Sequence, residues 1–237
     1  MEWENGMLRN WQKLPGYMKT EAVHPYYEIL KKRKGSLFLK RGFDVLVSTI
    51  MFVILSPILL IISILIKLDS KGQVFYRQER VTQYGRKFKI FKFRTMVANA
   101  DKIGSQVTVQ NDRRVTKIGA FLRKYRLDEL PQLINIILGD MTFVGTRPES
   151  TYYVKHYTPE MFATLLLPAG VTSEASIRYK DEAELLNRAD DVDQVYVGKV
   201  LPGKMKYNLK AIREFSLYRE IKTMIHTVLA VLENEDN

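Results

Sequence analysis

The chain has 237 residues, 46% of them hydrophobic, with no cysteine and a formal net charge of +11. That length favours one domain, and this composition excludes global disorder, a disulfide framework and any thiolate metal site. The three histidines, His24, His156 and His226, lack zinc-ligand spacing, which leaves a hard cation such as magnesium on carboxylate and phosphate oxygens as the expected metal.

Charge is unevenly distributed along the chain. Residues 1–43 carry a net +5, residues 44–66 only Asp44, residues 67–150 a net +9, and residues 151–237 a net −2. The excess flanks one apolar segment on both sides, a pattern suited to lipid headgroups, nucleic acid or a phosphorylated substrate.

Residues 1–20 show little periodicity. A short helix is expected from Thr20-Glu21 through Tyr26, Ile29 and Leu30 into the Lys31–Lys34 run, with Gly35 ending it. From Val45 to Ile66 no charge occurs; as a helix this segment is about 33 Å long, enough for a hydrocarbon core of about 30 Å. Ser56-Pro57 sits in its middle, where proline removes a backbone donor and predicts a kink or break. Both flanks are basic, and each is drawn to the cytoplasmic face by the positive-inside rule. A helix–break–helix entering and leaving by the same face satisfies both flanks; a kinked transmembrane helix fits the segment alone equally well.

Val74–Val81 and Phe88–Arg94 are rich in aromatic and β-branched residues and are separated by Gln83-Tyr84-Gly85-Arg86, which predicts a β-hairpin. In 117–126, Ile118, Phe121, Leu122 and Tyr125 share one helical face with bases largely off it, as in an interfacial helix or a core-packed surface helix. Leu133–Leu138 reads as a short apolar helix ended by Gly139. Residues 181–193 are acidic and expected to face solvent, and Tyr207–Leu232 reads as one long amphipathic helix.

No Gly-x-Gly-x-x-Gly, P-loop, His-Glu-x-x-His or Gly-x-Ser-x-Gly pattern occurs. The remaining chemical candidate is the run from Arg123 to Leu133. Pro131 suits the first turn of a helix, so Asp128 and Glu129 fall at or just before a helix N-terminus that favours anions. Two adjacent carboxylates among Arg123, Lys124 and Arg126 could hold magnesium while the arginines hold phosphates. Taken alone, the cluster reads first as ordinary capping and a solvated ion-pair group.

Six ordered motifs change that weighting: Lys40-Arg41-Gly42-Phe43-Asp44, Gly72–Arg80, Phe91–Met96, Asp112–Gly119, Leu127–Leu133, and Gly139–Met141 running on to Gly145–Glu149. Together, over residues 36–235, they resemble the bacterial sugar transferases known as monotopic phosphoglycosyl transferases. The resemblance implies an α+β, mainly helical fold with a re-entrant membrane helix broken at Ser56 and Pro57, interfacial amphipathic helices and a small β-hairpin. It divides the chain into an N-terminal extension (1–35), the membrane region (36–70) and a cytoplasmic-face catalytic domain (71–237) at the bacterial inner membrane.

It further implies transfer of a phosphosugar from a UDP-sugar to polyprenyl phosphate with release of UMP, as the first membrane step of capsule, exopolysaccharide or O-antigen assembly. Asp128 matches the family's nucleophile and Glu129 its partner carboxylate on Mg2+. Arg123 and Arg147 match phosphate-binding arginines, and Lys40 and Arg41 are expected at phospholipid headgroups. No nucleic-acid partner is expected, and a homodimer is allowed. Thr146 stands where the family motif has its first proline, and Pro168–Thr172 resembles the family's Pro-Gly-Ile-Thr with one extra residue. The competing classes are a membrane-anchored basic module that binds nucleic acid or anionic lipid without catalysis, and a metal-dependent phosphodiesterase.

Overall fold

Phe88 and Ile90 alternate with lysines along one strand, and that period of two builds the small sheet against which the site is set. The computed structural model describes residues 8–98, 100, 112–179, 182, 186 and 191–232. Strands β1 (Phe75–Val81) and β2 (Lys87–Phe93) form the expected antiparallel hairpin, Phe75 opposite Phe93 and Val81 opposite Lys87. A second, parallel pair, β3 (Met141–Val144) with β4 (Ala169–Thr172), goes beyond the sequence reading. Its four-residue strands are too short for periodicity to reveal.

Helix α1 (His24–Lys31) forms as expected, but Gly35 does not end it. Gly35 lies in the first turn of α2, which runs from Lys34 to Asp69 without interruption and contains Pro57. The expected break at Ser56-Pro57 is therefore one continuous helix here. Pro57 has no N–H for the carbonyl of Val53 four residues back, and the Ser56 hydroxyl donates to that same carbonyl at 2.7 Å. Ser56→Ala should therefore cost about 1 kcal/mol and lower the melting temperature by about 2–4 °C. Ser56→Ala/Pro57→Ala should recover it, because residue 57 regains its N–H; an equal drop in both variants would reject this account.

Both halves of α2 pack on the same body. Leu37, Lys40, Asp44 and Ser48 are buried along the first half, and Met51, Phe52 and Leu55 pack with Phe88, Ile90 and Ile136. In the second half, Ile62 and Ile66 pack with Phe93 and Leu122. The buried Arg94 guanidinium closes the end of α2, donating to the carbonyls of Ile66, Ser70 and Lys71. Gly72 (φ 133°) makes room for this clamp, since a Cβ there would lie 2.0 Å from Arg94 Nη1. The opposite face of α2 exposes Leu46, Ile50, Val53, Ile54, Ile61 and Leu65, and the helix is long and apolar enough to cross a membrane.

The largest core joins the two ends of the chain. Leu14, Met18, Tyr26 and Leu30 pack with Leu166, Leu201, Met205 and Phe215, so described residues of the expected extension share the core of the main body. Helix α3 (Lys117–Lys124) is capped by Thr116, whose hydroxyl accepts from Gly119 N at 3.0 Å; it buries Leu122 and exposes Phe121. Helix α4 (Gln132–Leu138) ends at Gly139 (φ 81°), as expected. The short helices α5 (Thr151–Val154), α6 (Glu174–Arg178) and α7 (Val192–Val195) follow, and a wide turn at Tyr196–Val200 leads into α8 (Leu201–Arg213). Much of the acidic stretch 181–193 lies outside the described residues. Within it Leu186 is buried in the core, so the stretch does not face solvent throughout.

The single helix expected over Tyr207–Leu232 is two, α8 and α9 (Leu217–Leu232). Burial of Phe215 in the core turns the chain, and Ser216 Oγ accepts from Arg219 N at 3.2 Å to start the second helix. Helix α9 is attached by polar side chains: Glu220 accepts from Lys40, and Thr227 meets Thr172 at 2.8 Å. Its apolar residues Ile221, Ile225, Val228 and Leu229 face outward, the reverse of a surface helix on a water-soluble core.

Candidate functional site

The site forms where β2, α3 and α4 converge. On β2 the inner face continues from Phe88 and Ile90 to Lys92, so a lysine occupies the position where the apolar alternation would put another core residue. Arg80 of β1 lies opposite Phe88 on the same face. Asn135, fully buried on α4, accepts from Phe91 N at 2.8 Å and donates to the carbonyl of Lys89 at 3.2 Å. An amide side chain thus continues the strand ladder and fixes α4 beside Lys92. At the other end of α4, Arg41 donates to the carbonyls of Ile136 and Ile137 at 2.7 and 3.1 Å, which are orphan acceptors at a helix C-terminus.

Between α3 and α4 the chain reverses at Arg126 (φ 56°), a left-handed conformation unusual for a non-glycine residue. A single 3-10 turn, Leu127–Glu129, follows, and Pro131 caps α4. Asp128 and Glu129 therefore sit just before a helix, as the sequence predicts. Leu127 packs beside Phe93 and Leu122, and Leu133 beside Phe88 and Ile90, so apolar side chains pin the turn on both sides.

Glu129 Oε1 accepts from Lys92 Nζ at 2.7 Å and from Arg147 Nη2 at 2.6 Å. Burial alone would push the Glu129 carboxyl up, but Arg147 and Lys92 overcome it and hold the group well below the usual carboxylate range. Asp128, 8% exposed, is shifted the other way: burial and the neighbouring Glu129 charge raise it, against the pull of Lys92 and Arg123. The two adjacent carboxylates thus differ in character, one locked as an anion and the other drawn toward its neutral form.

Asp128, Lys92 and Arg123 line a cleft of about 540 Å³ together with Arg94, Arg114 and Tyr76. Arg123 is oriented by Thr95 Oγ1 at 2.8 Å. Arg147 is set by the second sheet, which continues past its strands: Gly145 N donates to Thr172 O at 3.0 Å and Gly170 N to Thr146 O at 2.8 Å. A Cβ on Gly170 would lie 2.2 Å from Gly145 N, so glycine permits this approach. The backbone ladder thereby fixes the Thr146 position, and Ala169–Thr172 of the 168–172 segment form β4.

The four residues Arg123, Asp128, Glu129 and Arg147 are brought together. Lys40 is not where the sequence reading places it: 6% exposed, it donates inward to Glu220 and to Val144 O at 3.1 Å. Arg41 likewise spends its terminal nitrogens on α4. Among the described residues no cluster of three or more His, Asp or Glu could cage a metal. Asp128 and Glu129 together fit the one or two carboxylates that magnesium takes when phosphate oxygens and water complete its shell. Lys92, Arg80 and Asn135 are site residues the sequence reading did not single out; for Lys92 the signal was its place in the inward alternation of β2.

Residues 35–234 match the family model described as bacterial sugar transferase. The chain is 32% identical over 232 residues to the UDP-N-acetylgalactosamine-undecaprenyl-phosphate N-acetylgalactosaminephosphotransferase of Aeromonas hydrophila, covering 93% of this chain and 50% of that protein. It is 35% identical over 223 residues to the UDP-glucose:undecaprenyl-phosphate glucose-1-phosphate transferase of Escherichia coli K12, covering 92% of this chain and 45% of that one. The exopolysaccharide production protein ExoY of Rhizobium meliloti is 31% identical over 207 residues, 81% of this chain and 84% of its own. The chain spans about half the length of the Aeromonas and Escherichia proteins.

Proposed function

Because this chain belongs to the bacterial sugar transferase family, we propose that it transfers a phosphosugar from a UDP-sugar to polyprenyl phosphate and releases UMP. The observation that carries this reading is Asp128, buried at the edge of a cationic cleft beside a Glu129 locked by Lys92 and Arg147. Asp128 attacks the sugar-bearing phosphorus; the bond to UMP breaks and an aspartyl phosphosugar forms. An oxygen of the lipid phosphate then attacks the same phosphorus, breaking the bond to Asp128. Phosphoryl transfer depends mainly on positioning and charge neutralisation, which Arg123, Arg147 and Lys92 supply. Magnesium, held by Glu129 with Asp128 and phosphate oxygens, would add Lewis-acid neutralisation of the phosphate charge.

The same geometry supports one membrane arrangement. A helix that crossed the bilayer would carry its far end away from the domain, whereas both halves of α2 pack on one body and Arg94 clasps its end. We read α2 as lying within one leaflet, re-entrant in topology, with the outward apolar faces of α2 and α9 in lipid and the catalytic cleft at the cytoplasmic face. The native chain has no cysteine. Single cysteines at the exposed Lys32 and Lys71 should therefore react with an impermeant maleimide from the same side of sealed vesicles. Labelling from opposite sides would establish a span.

The test of the activity is UMP release by the full chain in lipid–detergent micelles with magnesium, polyprenyl phosphate and a panel of UDP-sugars. UMP from one donor, sustained only with acceptor, supports transfer; UMP sustained without acceptor indicates a phosphodiesterase.

A further inference from the structure

A second cavity, of about 220 Å³, shares only Lys92 and Arg80 with the large cleft. Gln132, Glu149, Tyr196 and Lys204 line it, none of which the proposed chemistry uses. Glu149, Tyr196 and Lys204 form a connected polar set with Glu182. The Tyr196 hydroxyl donates to Glu149 Oε1 at 2.7 Å, and Lys204 Nζ donates to the Tyr196 oxygen at 3.2 Å and to Glu182 Oε2 at 2.9 Å. The Tyr153 ring packs 4.4 Å from that of Tyr196. Gln132 is 1% exposed and its amide Nε2 has no hydrogen-bond partner. A buried donor left unpaired is costly, so the cavity is built to receive an acceptor.

The lining chemistry identifies what that acceptor belongs to. Arg80, Lys92 and Arg147 also line the cavity and suit the phosphate that a sugar ring carries, while the carboxylates of Glu149 and Glu182 accept from hydroxyls and Lys204 and Gln132 donate to them. Alternating acceptors and donors beside tyrosine rings suit a polyhydroxylated ring, whose every hydroxyl both gives and takes a hydrogen bond.

We propose that this cavity is the sugar subsite, holding the hexose of the nucleotide sugar through both half-reactions, while the larger cleft takes first the nucleotide and then the lipid phosphate. The assignment rests on the transferase reading above. In a double displacement at one phosphorus, the bond from phosphorus to the sugar oxygen never breaks. The oxygen of UMP leaves, the oxygen of the lipid phosphate enters, and both occupy the position in line with Asp128. One pocket therefore keeps its occupant and the other exchanges it. Lys92 lines both cavities and reaches Glu129, which puts the phosphorus at their junction. The larger cleft is bordered by Gly72, Gln73 and Tyr76, which follow the end of α2, the side from which a lipid would arrive.

The test uses the full chain in lipid–detergent micelles, with Tyr196→Phe, Lys204→Met and Gln132→Met. Tyr196→Phe retains the ring that packs on Tyr153, so it reports on the hydroxyl even if the other two disturb folding. For the preferred UDP-hexose, kcat/KM should fall about 10–100-fold, and donors that differ at one hydroxyl or acetamido group should converge in rate. The inhibition constant of UMP should stay within about twofold of the parent value. A UMP constant that weakens in step with kcat/KM would put the nucleotide in this cavity and overturn the assignment. Unchanged kcat/KM in all three variants would make the set scaffolding and overturn it equally. Both failures leave parent turnover intact; a parent chain that releases no UMP from any donor would instead overturn the transferase reading and this one together.

Discussion

Asp128→Asn should abolish UMP release, lowering it by at least about 10³-fold, while leaving the fold in place. The fold survives because Asp128 is already drawn toward its neutral form by burial, so an uncharged isostere removes no stabilising charge. Incubated with labelled UDP-sugar and no acceptor, the parent chain should retain label covalently and show a burst near one equivalent of UMP; the variant should do neither. Sequential kinetics without labelled protein would reject the covalent route. A module that only binds anionic lipid would be indifferent to the substitution. Glu129→Gln should behave differently. Its folded carboxyl is held well below the ordinary range by Arg147 and Lys92 against the opposing effect of burial. Its ionisation therefore stabilises the fold above the unfolded value near 4.5, and that stabilisation fades as pH falls.

Lys40→Met should be the most destabilising single change on α2. Lys40 donates to Glu220 and to the carbonyl of Val144, and lies 3.8 Å from Asp44 Oδ2. Asp44 in turn accepts from the Thr142 hydroxyl at 2.5 Å. One ammonium thus joins α2, α9 and the end of β3. Its removal leaves buried carboxylates without their cation, at a cost of about 3–5 kcal/mol and a drop of about 10 °C in melting temperature. The loss should depend on pH. Burial raises the Glu220 carboxyl, with Lys40 pulling it down. A raised folded value means that the protonated form favours the fold: that contribution is full below the unfolded value near 4.5 and is lost as pH rises through the folded one. Without Lys40 the folded value climbs further, so the deficit should be small at pH 5 and larger at pH 8. A deficit independent of pH would show that Glu220 is not the group left stranded.

The parts of the molecule that could be read in advance are those whose signal is local. The hairpin follows from aromatic and β-branched runs around Gly85, α4 from an apolar run ended by Gly139, and the Asp128 turn from Pro131. What the sequence hides is long-range. Nothing near Lys40 in the chain announces Glu220, 180 positions away, so an inward lysine reads as a headgroup contact. Asn135 resembles any polar residue in a short helix until β2 lies alongside it. Phe215 splits the terminal helix because the core claims it, a choice that periodicity within one segment cannot express. Pro57 was read by its missing donor, and the remedy lay one residue away in a serine whose hydroxyl reaches the stranded carbonyl.

Helix α2 carries its inward stripe in two instalments, Leu37 to Ser48 and then Ile62 to Ile66. Asp44 and Ile62 are about five full turns apart at 3.6 residues per turn, so both instalments face the body together. Each residue added to or removed from the stretch between them would rotate the second stripe by about 100° relative to the first, turning Ile62 and Ile66 outward or pulling Lys40 and Asp44 out of their network. The outward apolar residues between, Ile50, Val53, Ile54 and Ile61, can be exchanged for one another freely, but the number of positions is fixed. In descent, this helix should drift in spelling and hold its length.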